Sequence, residues 1–156
     1  MSDVYDVIEA VQNNRLARIR TANGYLTDIG GNIFIGREDF SRHDVLPALS
    51  VLFQEDDPAE ERIGCGRIYT EGLFHIVVSA VEDPAQQTLL QLRDYHRDLI
   101  QALFSPDDMY SEGSSEDIFD GIYYAGQFVV PRTSGGTLAR MGVSVMIGWH
   151  QILGVQ

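Results

Sequence analysis

Residues 23–51, NGYLTDIGGNIFIGREDFSRHDVLPALSV, decide how this chain folds. Asn23-Gly24 is a dipeptide that tolerates positive φ and marks a turn. Tyr25 to Ile29 then leads into Gly30-Gly31, and Ile33-Phe34-Ile35 makes a short strand that Gly36 stops. Beyond the charged segment Arg37 to Asp44 the chain alternates again. Val45, Pro47, Leu49, Val51 and Phe53 take one face, and Leu46, Ala48, Ser50 and Leu52 take the other. Both faces are mostly apolar, so this second strand is expected over Val45 to Phe53, buried on two sides or covered on one side by a partner, with Pro47 at a strand start or sheet edge. The glycines tempt a phosphate-loop reading. Their spacing is neither the dinucleotide nor the Walker pattern, no Lys is present to reach a phosphate, and the segment follows a helix instead of a strand, so they read as turns. Arg37 to Asp44 also holds Ser41, His43 and Asp44, the residue types of a hydrolase triad. Triad members converge from separate elements, whereas neighbours in an extended chain point apart, so the segment reads as an exposed or subunit-contacting loop.

Toward the N-terminus, Val4, Val7, Ile8, Val11, Leu16 and Ile19 recur at helical spacing. They predict one amphipathic helix from Asp3 to Arg20, with Ser2 or Asp3 as its cap. Arg15, Arg18 and Arg20 crowd its last turns, where cations complement the helix dipole. Arg15 and Arg18 are also candidates to meet an acidic neighbouring subunit, together with Arg37, Arg42 and Asp44 of the charged loop.

Toward the C-terminus, Gln54 to Arg62 is rich in carboxylates but lacks the alternating ligands and central Gly of a calcium loop, so it reads as a solvated acidic loop. Gly66 to Val81 is the longest strand candidate, with a bend or bulge expected at Gly72 and a hydrogen-bonded structural role for His75. Asp83-Pro84 predicts a helix start, and Leu89, Leu92, Leu99, Ile100 and Leu103 carry the helix to about Phe104. His96 falls near that apolar face and is expected to be packed and satisfied. Ser105 to Asp120 contains six carboxylates and no basic residue. It is read as an acidic excursion from the fold. Ile122 to Val130, a turn at Ser134-Gly135-Gly136 and Leu138 to about Trp149 form a closing hairpin. The result is an α+β fold in the order α-β-β-β-α-β-β, two helices on a mainly antiparallel mixed sheet of about five strands. It forms a single domain over residues 1–156, with 105–120 as a loop or insertion.

Composition narrows the function. The net charge is −12, from 23 acidic and 11 basic residues, and every basic residue is Arg. Such a surface repels phosphate, so specific nucleic-acid binding is not expected, although DNA would slide past it. Cys65 is the only cysteine. This rules out an intrachain disulfide or a multi-cysteine zinc site, and Cys65 itself reads as a small buried hydrophobe. No N-terminal signal pattern and no run of about 18 apolar residues appears, so a soluble protein made in a cytoplasm, without a membrane, is expected.

Asn23, Tyr25, Thr27, Asp28, Gly30, Gly36 and Arg37, followed by Leu46-Pro47-Ala48-Leu49-Ser50-Val51, resemble the tail terminator proteins of long-tailed bacteriophages and their tail-completion and neck relatives. The Tyr123-Tyr124 strand and the apolar last strand fit the same scheme. The resemblance implies a virion structural protein assembled in the host cytoplasm. Its copies form a ring, commonly a hexamer, that caps the tail tube, stops its polymerisation and presents a surface to the head-tail connector. It brings no catalytic residues, cofactor or metal. A ring needs two complementary patches per subunit, and Arg-rich and acidic segments on one chain would supply them. A separate expectation from charge is that Asp107, Asp108, Glu112, Glu116 and Asp117 face the channel or a partner and repel passing DNA.

Overall fold

The computed structural model describes residues 3–58, 67–105, 121–132 and 138–152. Among these, five strands form one mixed sheet in the order β1-β2-β3-β5-β4. They are β1 (Ile33–Ile35), β2 (Ala48–Pro58), β3 (Arg67–Val81), β4 (Gly121–Val130) and β5 (Leu138–Ile152). β1 runs parallel to β2, and every other pairing is antiparallel. Helices α1 (Val4–Ala10), α2 (Thr88–Gln91) and α3 (Arg93–Phe104) complete an α+β fold.

One face of the sheet packs on the helices. Alternation brings Leu49, Val51, Phe74, Ile76, Val78, Met141, Val143, Val145, Ile147 and Trp149 to that side, and each is buried. Val7, Val11, Leu16, Ile19, Leu92, Leu99 and Leu103 meet them from the helical layer. Full burial of such side chains stabilises by about 1.5–3 kcal/mol apiece before conformational entropy is subtracted. Gly72 lies within this layer in regular ladder register, opposite Asp56 and Ile147. Of the bend or bulge expected here, no bulge falls at Gly72. Gly72 is needed because a Cβ would stand 2.7 Å from the Trp149 ring. The bulges fall between Phe53 and Glu55 and between Tyr124 and Gly126.

The N-terminal helix is shorter than its periodicity predicts. Asp3 caps it, accepting from Tyr5 N and Asp6 N at 3.0 Å each while Asp6 accepts in return from Asp3 N. After Ala10 the chain makes a π turn over Val11–Arg15 and a 3₁₀ turn over Leu16–Arg18. Val11 and Leu16 are five residues apart, about 1.4 α-helical turns, so a regular helix would swing Leu16 away from the core. The wider turn returns both to it.

Three other boundaries differ for reasons of the same kind. β2 begins at Ala48 instead of Val45, because the carbonyls of Val45 and Pro47 accept from Asn32 Nδ2 at 2.7 and 2.9 Å. The Leu46-Pro47 bond is cis. At its other end β2 runs on through Glu55 to Pro58, paired with Thr70 to Leu73, where a solvated loop was expected. The second helix starts at Thr88 instead of Pro84 and breaks at Leu92. Residues 83–87 are held as a turn by Asp83, which accepts from Ala85 N, and by Arg132, which reaches the Asp83 carbonyl, Thr88 Oγ1 and Gln91 Oε1. No helix of the described residues is long and apolar enough to cross a membrane.

Candidate functional site

The connection from β1 to β2 crosses the face of the sheet that carries no helix. Ser50, fully buried on that face, donates its hydroxyl to the Arg37 carbonyl. Arg37 then lies over both the Phe34 and Phe40 rings, which touch edge-on, at 4.9 and 4.5 Å from their centroids, and its Nη2 meets Asp44 Oδ1 at 2.8 Å. The other carboxylate oxygen of Asp44 accepts from Ser41 N at 2.7 Å. The Ser41 amide and then the Arg37 guanidinium hold the Asp44 carboxyl below its ordinary titration range. Asp44 therefore closes the loop upon itself. His43 contributes its backbone N–H to Ser41 Oγ, and no nucleophile-base-acid relay forms. Arg42 alone of the proposed contact residues in this loop is exposed, Arg37 and Asp44 being half-buried.

Beside the loop runs a groove of about 670 Å³ lined by Leu52, His75, Val77, Phe128, Val130 and Arg140, with Glu38 and Asp39 at its rim. His75 anchors its floor as the sequence predicts. Its Nδ1 lies 2.8 Å from Ser144 Oγ, and Nε2 meets Gln54 Oε1, the side chain displaced by the β2 bulge. Because an amide oxygen only accepts, Nε2 is the donor to Gln54, and Nδ1 pairs with the serine hydroxyl, which can donate or accept. Phe128 stacks edge-on to His75 and covers Gly142, where a Cβ would lie 2.3 Å from the ring.

The remaining sequence candidates divide sharply. Arg15 does not present itself to a neighbour: it is 3% exposed and donates to the Leu103 carbonyl at 3.0 Å. Arg18 is half-buried, and its carbonyl accepts from Asn23 Nδ2. Asp107, Asp108, Glu112, Glu116 and Asp117 lie outside the described residues, as do Cys65 and the Ser134-Gly135-Gly136 turn. His96 is packed, but its buried Nε2 has no hydrogen-bond partner among the described residues. Burial lowers its pKa. Among the described residues no group of three His, Cys, Asp or Glu side chains is placed to hold a metal.

Asp98 escaped the sequence reading. It is 1% exposed and accepts from Leu26 N, Thr27 N and Thr27 Oγ1 at 3.0, 2.8 and 2.6 Å. Asp28 next to it accepts from Thr21 N and Thr21 Oγ1, which lowers its pKa. A Cβ on Gly30 would lie 2.5 Å from the Leu16 carbonyl. Thr27, Asp28 and Gly30 of the opening motif thus fix the path of the chain into β1. A readable signal for Asp98 existed: a carboxylate three residues after Tyr95, on the apolar stripe of a helix.

No protein-family model and no curated protein matches the sequence. The fold itself is found elsewhere. A chain of the virion of the native gene transfer agent particle superposes with a TM-score of 0.57 at 16% identity, over 94% of this chain and 99% of that one.

Proposed function

We propose that this chain is a structural virion protein, a tail terminator whose copies form a ring that caps the tail tube, stops its polymerisation and offers the head-tail connector its joining surface. The observation that carries the reading is the end-to-end fold shared with a chain of a gene transfer agent virion. The 23–51 motif supports the narrower role. In this reading the motif residues build the monomer, while Arg42 and the outer side of the Arg37–Asp44 loop meet the next subunit. Arg18 at the end of the helical layer is a further contact. The acidic residues of 105–120 face the channel, where the genome passes without being bound. The protein resides in the virion and assembles in the host cytoplasm.

The deciding experiment mixes the purified chain with tail tube protein and measures mass by light scattering alongside negative-stain images. Rings, or caps on tube ends that stop growing, support the proposal. A chain that stays monomeric and leaves tube growth unchanged defeats it. Rings that bind only the connector and let tubes elongate would move the protein to the neck. For the channel, neutralising Asp107, Asp108, Glu116 and Asp117 together is expected to impair genome passage while rings still form, and full infectivity would remove that role.

A further inference from the structure

β4 is an outer strand of ten residues, GIYYAGQFVV, without a single charge in a chain that is 22% charged. Exposed edges are ordinarily guarded with Lys, Pro or other charges, since alternate N–H and C=O groups along them are free to pair with another strand. This edge instead shows Tyr123, Tyr124 and Val129 at 60%, 52% and 42% exposure. The opposite edge is open as well. Asn32 and Gly36 bond to β2 through Leu49 N and the Val51 carbonyl, so the intervening Ile33 and Ile35 turn their backbone groups outward. Ile35 is 46% exposed. Among the described residues no backbone bond from outside the sheet reaches either edge.

We propose that these two edges pair with each other between copies, β4 of one subunit adding antiparallel to β1 of the next, so that the sheets join around the ring. The inference rests on the ring reading above and names its contact. Strand direction favours it. β1 and β2 run one way and β4 runs the other. Rotation about an axis along the strands preserves direction, so β4 meets the neighbouring β1 antiparallel, and a closed sheet has no edges left. Level also favours it. Through the ladders Ile33 stands level with Leu49, Val78, Met141 and Val129, and Ile35 with Val51, Ile76, Val143 and Gln127. Apolar Ile33 and Ile35 therefore face Val129 and Gln127 of the neighbour, subject to the stagger that closure imposes.

The test places a Lys on one edge at a time: Val129→Lys or, at a position outside the core, Gln127→Lys on β4, and Ile35→Lys on β1. All three positions are exposed, so each variant keeps its circular dichroism and the slow amide exchange of β3 and β5. Each is expected to raise the concentration needed for association, alone or on tail tube protein, by about tenfold or more. Each also retains one good edge. Mixing Ile35→Lys with Gln127→Lys subunits is therefore expected to give a dimer of one of each and nothing larger, at concentrations where neither variant associates alone. Rings from all three variants would overturn the edge pairing and leave the ring reading standing. A wild-type chain that never associates, with or without tube protein, would overturn both.

Discussion

Asp98→Ala removes a side chain that ties α3 to the motif segment. The carboxylate is 1% exposed and accepts three hydrogen bonds, two from backbone N–H groups and one from Thr27 Oγ1. Hydrogen bonds to a charged group contribute about 1.5–3 kcal/mol each, but three on one carboxylate do not add fully. The donors are only partly buried, so water will recover some of the loss. These effects together set the expected destabilisation at about 3 kcal/mol. Asp98→Asn keeps one acceptor oxygen but turns an amide NH₂ toward a backbone donor, which is expected to cost about 2 kcal/mol, and Thr27→Val, which loses only the hydroxyl bond, about 1 kcal/mol. Urea unfolding followed by circular dichroism reads the series. With an unchanged slope of about 2–3 kcal/mol per molar, the Ala variant should unfold roughly 1–1.5 M earlier. The double variant with Thr27→Val should lose less than the sum of the singles, because both remove the same bond. If Asp98→Ala costs less than about 1 kcal/mol, or if the two losses simply add, the clamp does not fix the motif as argued.

Three further outcomes follow from named contacts. Gly30→Ala forces a Cβ to 2.5 Å from the Leu16 backbone carbonyl, which no rotamer change relieves; a loss of about 3 kcal/mol is expected, and a wild-type melting temperature would contradict the close packing. His96 has a folded pKa lowered by burial, so below its ordinary value of 6.5 the unfolded chain takes up the proton first. Its contribution is present above pH 6.5 and is lost as pH falls through the lower folded value; His96→Leu should flatten the difference in urea midpoint between pH 7.5 and 5.5, and an identical pH profile would assign the dependence to other groups. Arg42→Glu is expected to weaken ring assembly and leave the monomer unchanged by calorimetry, whereas Arg37→Glu should also loosen the loop, because it breaks the Asp44 ion pair and the stacking on Phe34 and Phe40. Equal monomer stability for the two variants would show that the loop does not depend on Arg37.

What the sequence made legible is what repeats locally. Alternation in Phe74-Ile76-Val78 and in Met141-Val143-Val145-Ile147-Trp149 placed β3 and β5, and those side chains are the buried ones. Boundaries set by distant partners were not legible. Nothing near Val45 announces that Asn32 will take its carbonyl, and nothing near Pro84 announces Arg132. The acidic end of β2 misled for another reason: ladder pairing uses backbone groups, and Glu55 pairs opposite Leu73 whatever its side chain prefers. Of the residues that charge counting nominated, Arg42 is exposed as a contact residue must be, whereas Arg15 is buried. A guanidinium that satisfies a carbonyl 88 residues away has no local signature. The open edges were visible only once the strand order was known.

The ties between the N-terminal segment and α3 also set a timetable. Residues 26 and 27 wait for Asp98, and Arg15 waits for Leu103, so the path into β1 is fixed only when the chain has been made as far as the end of α3. β4 comes later still. During synthesis, when chains emerge N-terminus first and crowd on one message, neither open edge is ready to meet another copy until most of the protein exists. In the edge-pairing proposal, the sheet is thereby shielded from joining other copies too early, and the shield is the order in which its contacts become possible.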